Sequence, residues 1–354
     1  MTTPPFESLP VLGLMLGDAT GIGPEQCARI LADGRMADAA RLLVIGDARV
    51  LEQGMRDADV ALVWQAYGAP EDIRWDERRE VPIIDLHNLD PVSVGRGAVS
   101  AESGRVSGAT LAHMVELALA DRLDGIVFAP LNKAALHAGG WRFNDEHQMF
   151  AHLTRHDGYF GEMNVLDNLW MSRATSHVSL RTALEQLTSA RIDAALSLAD
   201  ATMRSAGFAT PRIAVAALNP HAGEGGLFGR EEIEIIAPAV AEAAKRGIAC
   251  KGPYPADTVF LKAFGGEFDG VLTMYHDQGQ IATKLKGFNR GVTVTGGLQA
   301  VFTTPAHGTA FDIVGKGIAT TGALEQAIRL SARLAASRRR AKPHQEAQLA
   351  SSLR

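Results

Sequence analysis

Residues 11–17 read VLGLMLG and run directly into Asp18-Ala19-Thr20-Gly21-Ile22-Gly23-Pro24-Glu25. A short, continuous apolar run halted by an acid has the pattern of a strand buried on both faces. Gly21 and Gly23 suit the tight turn after it. Pro24 suits the first turn of a helix reaching about Ala32, because an N–H lost there has no helical partner anyway. Strand, glycine turn and helix make up the repeating unit of a parallel sheet covered by helices. Outward from this stretch, strands are predicted at 41–46 (RLLVIG), more weakly at 81–86 (VPIIDL), and at 125–129 (GIVFA), with helical spacing over 103–119. A second set follows. It has strands at 164–171 and 177–180, a long helix over 182–206, a strand at 212–218 and a helix over 231–245 ended by Gly247. Strands at 270–275 and 291–297 and a helix over 323–336 close it. The fold class is α/β.

Composition narrows the function. The 354 residues carry 35 Lys and Arg against 40 Asp and Glu, and the net charge of −5 gives no global reason to bind nucleic acid. Hydrophobic residues at 46 % suffice for sizeable cores, and the length points to two domains. No apolar run is long enough to span a bilayer, and MTTPPFESLP lacks the basic region and apolar core of a signal peptide. The expectation is a cytoplasmic protein with no membrane and no nucleic-acid partner. Cys27 and Cys250 are too few for a disulfide framework or a thiolate metal site and read as inert core residues. The basic stretch at 338–343 reads as a solvated, fraying tail.

Ligands in open α/β sheets bind beyond the carboxyl ends of the strands. After the first strand comes the Gly17 to Glu25 stretch, and after 125–129 come Pro130-Leu131-Asn132-Lys133. Later strand ends carry His177, then His221 within Asn219-Pro220-His221-Ala222-Gly223, then His276-Asp277-Gln278-Gly279. Imidazoles are good ligands for zinc and other transition metals, and three of them leave coordination positions for a substrate. Each histidine alone also has an ordinary reading as a hydrogen-bonded structural residue. His152 and His156 share a helix face but lack the zincin Glu between them. Gln26 stands where a GxGxxG motif needs its third glycine, Gly315-Lys316 is followed by Gly317 rather than Ser or Thr, and no GxSxG occurs. Rossmann, P-loop and serine-hydrolase readings are unsupported.

The segments GDATGIGPE (17–25), NPHAGEGGLFGREE (219–232), ADT (256–258), YHDQG (275–279) and HGTAFDIVGKG (307–317) resemble the motif set of the PdxA family, whose name-giving activity is 4-hydroxythreonine-4-phosphate dehydrogenation. The similarity runs from about residue 11 to 335. It implies two α/β/α domains with an active-site cleft, as in isocitrate and isopropylmalate dehydrogenases. One is a discontinuous cofactor-side domain of residues 1–135 and 295–354. The other, residues 136–294, carries metal, substrate and dimer contacts. It further implies a homodimer with a shared active site acting on a small molecule. His177, His221 and His276 match the family's metal ligands, with His276 expected to reach the partner's site. His307, Gly308, Thr309, Ala310 and Asp312 match a loop that holds NAD without GxGxxG. Asp257 matches an acidic position near the metal, with Lys133 and Asp277 as further catalytic candidates. The implied chemistry is a Lewis-acid divalent ion (zinc, or else manganese, cobalt or nickel), hydride transfer to NAD, and loss of carbon dioxide where a carboxylate lies β to the new ketone.

The chain departs from that pattern at the substrate. Lys284 fills the first of three phosphate-binding positions, but Thr293 stands for an Asn and Phe302 for an Arg. A ring cannot replace a guanidinium that binds an oxyanion bidentately. His147 survives in a segment where Gln148 replaces a Thr. These changes point to a branch similar to the terephthalate cis-dihydrodiol dehydrogenase. The expected substrate is then a hydroxy acid or carboxylated cis-dihydrodiol, oxidised with decarboxylation, and Phe302 could pack on its ring. The alternatives are 4-hydroxythreonine 4-phosphate or a related four-carbon acid phosphate, a metal-dependent hydrolase or lyase that does not use NAD, and a non-catalytic metabolite-binding paralogue.

Overall fold

A computed structural model describes residues 8–75, 80–287 and 290–352, with side chains as far as 341. Residues 1–7, on which most of the signal-peptide reading falls, lie outside the described residues, as do the side chains of Lys342 and Pro343. The chain forms two compact units, one from residues up to 156 together with those from 298 onward, the other from residues 157–297.

The first unit opens with β1 (Val11–Met15), α1 (Gly23–Asp33), β2 (Arg41–Gly46), α2 (Ala48–Ala58), β3 (Trp64–Ala66) and β4 (Val81–Asp85). It continues with α3 (Ala101–Leu119), β5 (Gly125–Phe128), α4 (Lys133–Ala138) and α5 (Glu146–Leu153). The second unit holds β6 (Gly161–Leu166), β7 (Leu169–Arg173), α6 (Leu180–Gln186), α7 (Ser189–Ser205), β8 (Ile213–Ala216) and α8 (Ala237–Lys245). After these come β9 (Cys250–Tyr254), α9 (Ala256–Phe264), β10 (Gly270–Thr273), α10 (His276–Gly287) and β11 (Val292–Gly296). The chain then returns to the first unit with β12 (Phe302–Pro305) and α11 (Gly322–Ser352).

Strands of the first unit lie in the order β3-β4-β2-β1-β5-β12, all parallel. Side chains alternate faces along a strand. A Cβ on Gly13 of β1 would point at Met114 of α3, whereas one on Gly125, paired with Leu12, would point at Ser331 of α11. The two helices therefore cover opposite faces, and this explains why β1 is apolar without alternation. α5 belongs here because Phe150 stacks on Phe302 with ring centroids 4.1 Å apart and meets Phe128 edge-on at 5.5 Å. α4 docks so tightly on α3 that a Cβ on Gly104 would lie 1.8 Å from the Ala135 carbonyl oxygen. Both helices fall beyond the expected boundary at residue 135. α11 runs past the expected end at 336, and Arg339 pairs with Asp124 at 2.9 Å and donates to the Leu9 carbonyl. The described part of the basic stretch is thus docked helix rather than a solvated tail.

The second unit orders its strands β11-β6-β7-β10-β8-β9. β11, β6 and β7 pair antiparallel, and β7, β10, β8 and β9 are parallel. The run read as one strand at 164–171 is a hairpin, turning at Asp167, whose φ is 54°. Residues 177–180 are not a strand. They lead into α6, whose N-cap Ser179 accepts from Thr182 N at 3.1 Å. The single helix expected over 182–206 breaks where Thr188 caps α7, accepting from Arg191 N at 3.2 Å. Cys27 and Cys250 are buried free thiols, and burial raises both pKa values, as inert core residues require.

Candidate active site

In the second unit the parallel strands β7, β10 and β8 end on one edge, and each delivers a histidine there: His177, His276 and His221. The exits are tied together. Thr175 donates from its N and Oγ1 to the Met274 carbonyl at 3.2 and 2.8 Å. Gln278 accepts from Met274 N at 2.8 Å and donates to the Ala217 carbonyl at 2.7 Å. The His177 and His276 rings consequently lie 5.3 Å apart. His276 opens α10, and its Nδ1 lies 2.7 Å from Asp277 Oδ1, so Nδ1 keeps the proton and Nε2 the lone pair. Burial outweighs the Asp277 bond and holds the imidazole below the ordinary histidine range, favouring the neutral, ligating form. His276 thus faces His177 of its own chain, because α10 leaves from the strand beside β7, whereas the resemblance implied delivery to a partner.

His221 is held by unusual backbone. His221, Ala222, Gly223, Glu224 and Gly225 all have positive φ, from 43° to 78°, a left-handed turn containing three non-glycine residues. Left-handed backbone costs about 1–2 kcal/mol for each such residue. The turn persists because buried Glu232 clamps its start. Glu232 Oε1 accepts from Leu218 N at 2.8 Å and Asn219 N at 2.7 Å, and Oε2 from Asn219 Nδ2 at 2.9 Å. Among the described residues, no group of three or more His, Cys, Asp or Glu is placed to hold a metal. The chain alone brings together two of its three candidate histidines. Two adjacent imidazoles, one with its second nitrogen held by a carboxylate, nonetheless fit a divalent transition metal by donor chemistry.

Asp257 lies exposed in the first turn of α9, and Lys284 exposed in the last turn of α10. Thr293 is buried on β11, and its Oγ1 accepts from Asn164 Nδ2 at 3.0 Å, so a structural contact already engages this hydroxyl. Sequence reading missed Glu162 and Arg173, both buried near the histidine pair. The available signal was an arginine ending the otherwise apolar strand LWMSR.

In the first unit the two most separated motifs meet. Ile22 N donates to the Thr309 carbonyl at 3.1 Å, and Ala319 N donates to Glu25 Oε1 at 2.9 Å. Asp18 Oδ1 accepts from Thr20 N, Thr20 Oγ1 and Ser103 Oγ at 2.9, 2.8 and 2.6 Å, so both acids are buried ties rather than exposed turn and helix-start residues. His307 Nδ1 faces the Gly308 carbonyl at 3.1 Å, which leaves Nε2 to accept from Gln26 Nε2 at 3.4 Å. Space is open where a Cβ on Gly308 would stand, Thr309 is buried, Ala310 has φ 45°, and Asp312 is exposed. An open main-chain shelf of this kind fits a planar cofactor. Lys133, at the start of α4, pairs with Glu146 at 3.5 Å, next to buried His147 and exposed Gln148 at the start of α5.

Phe302 corrects the sequence reading. It is 1 % exposed in the core and stacked on Phe150, so it cannot pack on a substrate ring.

A family model described as "Pyridoxal phosphate biosynthetic protein PdxA" matches residues 38–331. The chain belongs to the PdxA family. A Pseudomonas aeruginosa relative named "Putative 4-hydroxythreonine-4-phosphate dehydrogenase 2" is 48 % identical over 334 residues, covering 92 % of this chain and 97 % of the relative. A Cupriavidus necator relative named D-threonate 4-phosphate dehydrogenase is 42 % identical, covering 93 % of this chain and 98 % of its own length. The crystal structure of a 4-hydroxythreonine-4-phosphate dehydrogenase from Klebsiella pneumoniae matches with a TM-score of 0.79 at 36 % identity, covering 92 % of this chain and 99 % of that one. A terephthalate 1,2-cis-dihydrodiol dehydrogenase from Burkholderia xenovorans matches at 0.64 and 27 %, covering 92 % and 98 %. This PdxA-family chain is an oxidoreductase of the dehydrogenase type. The expected kinship with the dihydrodiol branch is corrected: the phosphate dehydrogenases are the nearer relatives of the two, and the decarboxylating reading is unsupported. Among the described residues no helix is long and apolar enough to cross a membrane.

Proposed function

We propose that this chain oxidises the secondary alcohol of a phosphorylated four-carbon hydroxy acid, of the 4-hydroxythreonine 4-phosphate or threonate 4-phosphate class, with NAD as hydride acceptor and a divalent metal in the site. The observation that carries the reading is the His177 and His276 pair at the shared strand edge. The substrate class comes from the names of the relatives at 48 % and 42 % identity.

His177 and His276 would hold the ion, with Asp277 fixing the proton of His276 on Nδ1. A bound divalent ion supplies Lewis acidity that lowers the pKa of the substrate hydroxyl. NAD, on the shelf formed by His307, Gly308, Thr309, Ala310 and Asp312, supplies the hydride acceptor. The hydroxyl proton needs a base, and exposed Asp257 is assigned that role because Asp277 is already engaged by His276. Lys284, His147 and Gln148 bind the acid groups of the substrate. Lys133 stays with Glu146 as a positioning pair.

A second copy of the chain completes the metal site. Each candidate histidine is followed closely by exposed apolar residues: Leu180 after His177, Leu227 and Phe228 after His221, and Ile281 and Leu285 after His276. Such a patch around a polar site suits an interface. The test is NADH formation from D-threonate 4-phosphate and 4-hydroxythreonine 4-phosphate by metal-loaded protein. Turnover that a chelator abolishes and His177→Ala lacks is expected. Turnover unaffected by either removes the metal from the account.

A further inference from the structure

Glu162, near the start of β6, and Arg173, ending β7, face each other if the register that pairs Asn164 with Met171 is continued. Arg173 Nη1 lies 3.5 Å from Glu162 Oε2, and its Nη2 contacts Asn164 Oδ1. Glu162 Oε1 accepts from Asn164 Nδ2 at 3.1 Å. The Arg173 and Glu162 side chains are only 4 % and 10 % exposed. A buried ion pair is poor value as a stabiliser, because desolvation consumes most of its attraction, and an apolar pair of similar volume does as well or better. Its position gives it another use. Glu162 Oε2, the oxygen beside Arg173, lies 3.8 Å from His177 Nε2 on the other side.

We infer that Glu162, anchored by Arg173 and Asn164, is a positioning residue for His177, and that the pair serves the metal site rather than the fold. The inference rests on the proposed metal-dependent reading. A ligating imidazole needs its ring plane and proton position fixed by a partner, and loss of such a partner weakens metal binding by about 10–100-fold. Asp277 does this for His276 across 2.7 Å. Glu162 stands in the corresponding place for His177. Arg173 holds the carboxylate ionised and in place, which the 3.8 Å separation alone would not do.

The test is titration of the full-length protein with Zn²⁺ and with Co²⁺, the latter also followed by its visible absorption, alongside thermal melts of the metal-free protein. The deciding variant is the double substitution Glu162→Leu with Arg173→Leu, which removes both charges together. The expected result is an unchanged Tm with metal affinity lowered about 10–100-fold. Unchanged Tm with unchanged affinity overturns the inference and leaves the pair a structural element. Should the double variant fail to fold, Glu162→Gln decides, since it keeps the shape and the Asn164 contact. Weakened Co²⁺ binding is expected there too, and wild-type binding overturns the inference. Failure of the wild-type protein to bind either metal would instead sink the metal-dependent reading itself.

Discussion

Phe302 carries the ring of Phe150 at a centroid distance of 4.1 Å and an interplanar angle of 8°. Truncating a buried aromatic of this kind costs about 3–5 kcal/mol. Phe302→Ala should therefore lower the denaturant midpoint sharply, and a near-wild-type midpoint would show that the stack is not part of the stable core. Phe302→Arg should not create a phosphate site. It would bury an unpaired guanidinium and unfold the first unit. The sequence suggested otherwise because a motif match aligns positions, not environments. His307 gives a pH prediction. Burial outweighs its contact with the Gly308 carbonyl and holds its pKa below the ordinary value of 6.5. The unfolded chain then takes up a proton near 6.5 that the folded chain refuses, so stability is full above that pH and declines below it. Melts between pH 8 and pH 5 should show the wild-type advantage over His307→Asn shrinking below 6.5. A constant difference would contradict the assignment.

At the scale of elements, the left-handed turn from His221 to Gly225 depends on Glu232. Glu232→Ala leaves the Leu218 and Asn219 N–H groups without their acceptor, at about 1–3 kcal/mol for each if they stay buried. It also frees backbone that has no reason to stay left-handed. Lower unfolding stability together with weaker Co²⁺ binding is expected, and stability loss with unchanged metal affinity would separate His221 from the metal. The sequence made NPHAGEGG legible as a motif but not as a left-handed turn, since nothing local dictates positive φ at His221, Ala222 and Glu224. The clamp comes from residue 232. The hairpin and the α6–α7 break were unread for a related reason. Asp167, Ser179 and Thr188 interrupt runs whose apolar periodicity carries on across them. Strands β1, β2 and β5 were legible because both faces are buried and the apolar run needs no partner to be recognised.

For the whole molecule, strand-end bookkeeping located both sites. It placed three histidines on one edge of the second unit and the His307 loop against the Gly17 to Glu25 turn in the first. It could not say which side chains stay outside. Thr293 and Phe302, read as determinants of the substrate, are inside. Glu162 and Arg173, inside and charged, were not read at all, because a cross-strand pair is invisible until the register is known. The substrate class therefore rests on the relatives rather than on the two departures that first suggested a dihydrodiol. The most direct test is to follow NADH formation by the metal-loaded protein on D-threonate 4-phosphate, 4-hydroxythreonine 4-phosphate and terephthalate cis-dihydrodiol in parallel. The account predicts a higher kcat/KM for one of the phosphate esters. Turnover of the dihydrodiol alone would contradict it.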